Sequence, residues 1–148
     1  MSGVEIVQAS WRDAWALSRL DRKCFSRVDG YSWLAYLSLC TWPGTVTLKA
    51  VSGEAIVGVV AGDRRRWRGY ILVVTLAVDP GWRRRGIGER LMRACEARFD
   101  LPRFRLQVRK SNSSAIRLYR SLGYVITGAL PGYYGDGEDA YVMEKVNK

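Results

Sequence analysis

The chain has 148 residues, 48% of them hydrophobic and 26% charged, a balance that suits one globular core. Its net charge of +10 favours anionic partners. Histidine is absent, which excludes Ser-His and Cys-His nucleophile pairs, His-ligated metal sites and the commonest general base.

No run of 18 apolar residues is present, so no membrane span is expected. Residues 1–5 lack the basic start and apolar stretch of a secretory leader. Cys24, Cys40 and Cys95 are odd in number and widely spaced, without metal-ligand spacing or a disulfide framework. Reduced thiols and a cytoplasmic location are the simple expectation.

Residues 4–7 alternate weakly and suit a first strand. Ser10 can cap a helix whose apolar positions are Trp11, Ala14, Trp15, Leu17, Ser18 and Leu20. A second short helix is expected over 32–39, with Trp33, Tyr36, Leu37 and Cys40 on one side and Pro43-Gly44 ending it. Residues 46–51 and 55–62 are two β-rich runs joined by Ser52-Gly53-Glu54, which reads as a hairpin. Residues 64–69 read as a polar connection. Residues 70–78 are almost continuously apolar, the pattern of a strand buried on both faces.

Asp79-Pro80-Gly81 stops that strand, and from Ile87 apolar residues recur at Leu91, Ala94, Cys95 and Phe99 with helical spacing. A strand over 104–108 follows. Asn112 can then cap a helix carrying Ala115, Ile116, Tyr119 and Leu122, with Gly123 as its stop. Two last strands, 124–127 and 140–143, flank a Gly-rich aromatic loop at 131–137. The order βααββ, then βα, βα, ββ describes a mixed α/β domain.

The turn between strand and helix at 78–88 carries the first chemical signal. Gly86 and Gly88 let backbone N–H groups approach an anion. The first N–H groups of the next helix lack internal partners, and the helix dipole favours negative charge there. Arg83, Arg84 and Arg85 add full charges suited to phosphate oxygens. A solvated basic helix start is the alternative reading. The turn is not a Rossmann GxGxxG, since Leu91 holds the third glycine position. It is not a Walker loop either, since no Gly-Lys-Ser/Thr follows.

The stretch Leu76-Ala77-Val78-Asp79-Pro80-Gly81-Trp82-Arg83-Arg84-Arg85-Gly86-Ile87-Gly88 resembles the acetyl-CoA motif of the GNAT superfamily, Gln/Arg-x-x-Gly-x-Gly/Ala. Residues 106–124, from Leu106-Gln107-Val108-Arg109 through Asn112 and Tyr119 to Gly123-Tyr124, are similar to that family's second half. So are Tyr133-Tyr134, Gly137-Glu138-Asp139-Ala140 and Met143. The similarity is greatest to the ribosomal-protein alanine and protein N-terminal acetyltransferases.

The resemblance implies one GNAT domain over 1–148, a mixed and mostly antiparallel sheet of about seven strands flanked by about four helices. It implies acetyl-CoA as cosubstrate, and no metal. Leu76, Ala77 and Val78 would offer backbone groups to the pantetheine arm and acetyl carbonyl. Arg84, Arg85, Gly86, Ile87, Gly88 and Glu89 would wrap the pyrophosphate, beside Arg83. Asn112 would contact the pantetheine, and Tyr119 would sit near the sulfur as general acid. The reaction implied is direct attack of a primary amine on the thioester.

One position departs from the ribosomal-protein branch: Gln107 stands where that branch has a glutamate proposed as general base. Glutamine accepts no proton. A free α-amine, with a pKa of about 7.7–8.0, is already substantially neutral near pH 7.4, whereas a lysine amine at about 10.4 is only about 0.1% neutral. A site without a strong base therefore suits an α-amine, or another amine of lowered pKa, better than a lysine. Asp29, Glu138 and Asp139 are candidate carboxylates for a water-mediated route, with surface or turn roles as the alternative.

The resemblance places the acceptor between the first helical pair and the last hairpin loop, about residues 25–36 and 132–139, a region that also holds Asp29, Glu138 and Asp139. Tyr31, Tyr133 and Tyr134 could clamp a peptide backbone there, with filling of the loop junction as the alternative, and the acidic segment 135–139 could attract a cationic amine. A protein or peptide N-terminus is the leading acceptor expectation. A small-molecule amine, such as an amino acid, polyamine or antibiotic, is the alternative. The run Arg64-Arg65-Arg66-Trp67-Arg68 raises a nucleic-acid-binding module as a weaker reading, because one aromatic among arginines offers little stacking platform. The basic surface also suits approach to a ribosome, on charge alone.

Overall fold

Seven strands and four α-helices order the described part of the chain, which in the computed structural model is residues 3–25, 30–65 and 67–147. They are β1 (Val4–Gln8), α1 (Ala14–Cys24), α2 (Trp33–Thr41), β2 (Thr45–Ser52), β3 (Ala55–Arg65), β4 (Tyr70–Val78), α3 (Ile87–Ala97), β5 (Arg103–Arg109), α4 (Ser113–Ser121), β6 (Val125–Leu130) and β7 (Ala140–Val146). The strands form one sheet in the order β1-β2-β3-β4-β5-β7-β6. Every neighbouring pair is antiparallel except β4 and β5. The mixed, mostly antiparallel α/β architecture expected from the sequence is the one observed. Among the described residues, no helix is long and apolar enough to cross a membrane.

Each face of the sheet has its own apolar layer. Leu17 and Leu20 of α1 and Tyr36 of α2 pack on Val59 and Ala77. On the other face Ile87, Leu91, Met92 and Cys95 of α3 and Tyr119 of α4 pack with Val60, Ile71, Phe104 and Leu106. Two glycines of β3 let α3 settle this closely. A Cβ on Gly58 would lie 2.9 Å from Leu91 Cδ1, and one on Gly62 would lie 2.9 Å from both Cys95 Sγ and Phe99.

A bulge in β4 decides which side chains face which layer. The register passes from Ala61↔Thr75 to Gly62↔Val73, so Val74 is the extra residue. An inserted residue reverses the alternation beyond it. Ile71 and Val73 accordingly join the α3–α4 layer, as Leu76 and Val78 do beyond the bulge, whereas Ala77 joins the α1–α2 layer.

The fold departs from the sequence expectation at five points. Trp11 and Trp15 are each 57% exposed, because α1 buries the stripe Ala14, Leu17, Ser18 and Asp21 and Trp15 lies beside it. Trp33 opens α2 and is exposed. Arg64 and Arg65 belong to β3, not to a connection, since Ile71 and Tyr70 supply their ladder partners. Buried positions of β4 alternate with half-buried ones, so the strand is not fully covered on both faces. The last strands also run further than expected, to Leu130 and Val146.

Candidate active site

The parallel pair β4–β5 is joined only at Ile71↔Phe104 and Leu72↔Arg105. Beyond these pairs no ladder links the two strands, and a cavity of about 830 Å³ opens between them. That is towards the upper end of the roughly 300–1,000 Å³ usual for small-molecule sites. Residues 73–78 of β4, residues 106–109 of β5 and the starts of α3 and α4 form its walls. The strand edge that faces it keeps backbone hydrogen-bonding capacity that a closed ladder would consume.

At one end lies an anion cradle. Asp79 closes β4: its N–H donates to the Val57 carbonyl at 2.8 Å and its Oδ1 accepts from Gly81 N–H at 2.9 Å. That backbone N–H, with Lys23 at 3.1 Å, holds the Asp79 carboxyl below its usual range. The chain then takes the left-handed conformation twice, at Arg84 (φ 65°) and at Gly86 (φ 76°). Such alternation turns successive amides toward one concavity. Gly86 is also the N-cap of α3 and offers no side chain to its first amides. Those amides and the helix dipole remain available to an anion.

The three arginines divide their work. Arg83 and Arg84 line the cavity, and Arg83 Nε folds back onto the Val78 carbonyl at 3.2 Å. Arg85 is not part of the wall, and its guanidinium stacks 4.7 Å above the Trp82 ring. Gly86, Ile87, Gly88 and Glu89 all line the cavity, as do Leu76, Ala77 and Val78.

Farther along the wall stand Gln107, Asn112 and Tyr119. Asn112 caps α4, its side-chain oxygen accepting from Ala115 N–H at 3.2 Å, which leaves its amide N–H₂ as the group to offer a ligand. Tyr119 is 8% exposed, packs at 5.9 Å on Tyr124, and burial, with Tyr134 nearby, pushes its phenol above the ordinary tyrosine range. Among the described residues nothing hydrogen-bonds its hydroxyl. Gln107 occupies the middle of β5, opposite Val142 of β7.

The sequence reading missed Cys24 and Thr75. Cys24 Sγ–H donates to the Val78 carbonyl at 3.3 Å, and burial raises its thiol above the usual range against the pull of Arg83. Its place at the C-terminal end of α1 was the available signal. Thr75 follows the bulge and no sequence pattern marks it.

Tyr31, Tyr133 and Tyr134 also line the cavity. Tyr31 N–H donates to the buried Asp21 carboxylate at 2.9 Å and its hydroxyl donates to the Val74 carbonyl at 3.5 Å. The Tyr133 and Tyr134 rings meet edge to face at 5.0 Å. Glu138 and Asp139 are not in the wall. Glu138 accepts from Arg109 at 2.7 Å and from Ser111 N–H at 3.0 Å. Asp139 accepts from Gly132 N–H at 2.8 Å and pairs with Lys110 at 3.3 Å. Asp29 lies outside the described residues. Arg109, two residues after Gln107, is a wall residue that the sequence reading passed over.

The sequence matches the model of the acetyltransferase (GNAT) family over residues 9–124. This chain belongs to that family. It is 35% identical over 121 residues to N-alpha-acetyltransferase 20 of Dictyostelium discoideum, covering 76% of this chain and 68% of that one. It is 34% identical over 140 residues to N-alpha-acetyltransferase RimI of Mycobacterium tuberculosis, covering 90% and 86%. The shared part is smaller elsewhere: the N-alpha-acetyltransferase of Sulfurisphaera tokodaii is 45% identical over 75 residues, 48% of this chain and 45% of that one. Among solved GNAT structures, Ard1 from Thermoplasma volcanium superposes with a TM-score of 0.87 at 30% identity, covering 99% of both chains.

Proposed function

We propose that this acetyltransferase moves an acetyl group from acetyl-CoA to the α-amine of a protein or peptide N-terminus. The observation that carries the reading is that one cavity has in its wall the Arg84–Gly86 cradle, Tyr119 and the three tyrosines Tyr31, Tyr133 and Tyr134. Acetyl-CoA suits the first part of it. Amides at residues 84–89 and the α3 dipole match a pyrophosphate. The β4 edge at Leu76, Ala77 and Val78, where the Val78 carbonyl already accepts from Arg83 and Cys24, has further backbone groups that, with the Asn112 amide, match an amide-bearing pantetheine arm.

The bound thioester would supply an activated acetyl group. The chain itself would bring the amine to it, and proximity provides much of the rate. Tyr119 keeps its proton through the neutral range, because burial opposes the phenolate. That proton is available to a departing thiolate. Gln107 can orient the amine or a water but takes no proton, so the amine must arrive largely neutral. An α-amine meets this condition far better than a lysine. The relatives named N-alpha-acetyltransferases support the same acceptor class.

The test is acetyl-CoA turnover by the purified chain with short peptides bearing free N-termini, the same peptides N-terminally blocked with a free lysine, and a panel of free amines. Turnover confined to unblocked peptides is expected. Preference for blocked lysine peptides or for free amines would overturn the acceptor assignment.

A further inference from the structure

The loop that carries Tyr133 and Tyr134 has little apolar bed. Of residues 131–139 none is buried, and Tyr133 is 52% exposed. Packing alone therefore holds it weakly. What ties it down is a set of charge-assisted bonds to the end of β5 and the turn after it.

Arg109 is the centre of that set. Its Nη1 donates to Asp136 Oδ1 and Oδ2 at 3.0 and 2.9 Å and to Glu138 Oε1 at 2.7 Å. Its guanidinium carbon sits 4.1 Å from the centre of the Tyr134 ring. The other Glu138 oxygen accepts from Ser111 N–H at 3.0 Å, and Asp136 Oδ1 accepts from Glu138 N–H at 3.1 Å. The arms differ in strength. Arg109 and Glu138 side chains are 20% and 26% exposed, whereas Asp136 is 62% exposed. Solvent screens the Asp136 arm more, so Glu138 is the stronger tie.

Arg109 also faces the cavity, on the same side of β5 as Gln107, because residues two apart on a strand share a face. One side chain thus connects the cavity wall, the tyrosine ring and the loop carboxylates. We propose that Arg109 is a positioning residue that holds the Tyr133–Tyr134 loop at the acceptor end of the cavity, so that acceptor binding depends on it and acetyl-CoA binding does not. This rests on the transferase reading above.

Two readouts test it. In steady-state kinetics at saturating acetyl-CoA, Arg109→Met raises the acceptor-peptide KM by about tenfold, the loss expected for a partly shielded charged hydrogen bond. The acetyl-CoA dissociation constant, measured by calorimetry, stays within about twofold under the same premise. Glu138→Gln, on the exposed loop, gives a smaller rise and serves if Arg109→Met does not fold. Arg109→Lys, which keeps charge but loses the fork, recovers part of the effect. Hydrogen exchange at residues 131–139 speeds up in Arg109→Met.

An unchanged acceptor KM, a fall in kcat alone, or an equal loss of acetyl-CoA affinity overturns the positioning role. Unchanged loop exchange overturns the latch itself. Wild-type chain that acetylates no amine overturns the transferase reading, and with it the acceptor role. That outcome appears before any variant is made, and loop exchange still reports on the latch separately.

Discussion

Tyr36 Oη donates to Asp21 Oδ2 at 2.6 Å inside the layer between α1 and α2, where the two residues are 0% and 1% exposed. The same carboxylate accepts from Tyr31 N–H, so a dry ionisable group on α1 fixes the chain entering α2 and the tyrosine at the cavity mouth. Burial raises the Asp21 carboxyl above its ordinary range, outweighing the two hydrogen bonds that oppose the shift. A raised folded-state value means that Asp21 favours folding below its unfolded pKa, about 3.9. That contribution is lost as pH rises through the folded value. Asp79, Asp136, Glu138 and Asp139 are shifted downwards and act in the opposite sense. Asp21→Asn therefore loses stability more steeply than wild type between pH 7 and 4, measured as urea midpoints. Parallel curves would show that Asp21 titrates alike in both states. Tyr36→Phe should cost about 1–3 kcal/mol, the loss of one partner from a buried acceptor.

Glu96 binds a second cluster, away from the cavity. Its Oε1 accepts from Lys145 at 2.8 Å and Asn147 at 3.3 Å, and its Oε2 accepts from Tyr124 at 2.8 Å. The Glu96 and Lys145 side chains are only 9% and 14% exposed. Removing one member leaves the other charge poorly solvated. Glu96→Ala should cost about 3 kcal/mol, and Glu96→Ala with Lys145→Met should recover part of it. Urea unfolding of wild type, Glu96→Ala, Lys145→Met and the double variant decides, and additive losses would mean that the pair is not coupled.

The order of elements was legible because each strand and helix shows its own period, as in the run before Asp79 and the spacing from Ile87 to Cys95. The turn at 83–88 was legible because Gly86 is needed where φ is positive. Other features have no local signal. Nothing in Tyr70–Val78 marks Val74 as the bulge that reverses the faces. Helical spacing could not tell that Trp15 lies beside the buried stripe. The acidic loop read as a group of carboxylates facing an amine, yet Glu138 and Asp139 are engaged by Arg109, Ser111, Lys110 and Gly132. Composition shows charges but not the partners that the fold gives them.

Chemistry at Tyr119 and Gln107 gives a third prediction. Tyr119→Phe removes the proton while keeping the ring packed on Tyr124, so the single-turnover rate should fall by about 10²-fold with acetyl-CoA affinity retained. Because the phenol is held above its ordinary value of about 10, no falling limb from it is expected up to that pH. The rate should rise with pH as the amine loses its proton. Gln107→Glu should keep or raise activity and move that rise to lower pH. An unchanged single-turnover rate in Tyr119→Phe would remove Tyr119 from the chemistry.

The last prediction separates backbone strain from ligand binding at Gly86. A Cβ there meets no protein atom within 4 Å, so a loss of folding stability in Gly86→Ala comes from its φ of 76°. Forcing alanine into that region costs about 1–2 kcal/mol. Gly53 provides the control, with φ of 59°, open space around its Cβ and a place in the β2–β3 turn outside the cavity wall. Both variants should lose similar stability in urea, but only Gly86→Ala should bind acetyl-CoA more weakly, by about tenfold if the chain relaxes and turns one amide out of the cradle. Equal affinities in the two variants would mean that the left-handed turn shapes the entry to α3 without holding the anion.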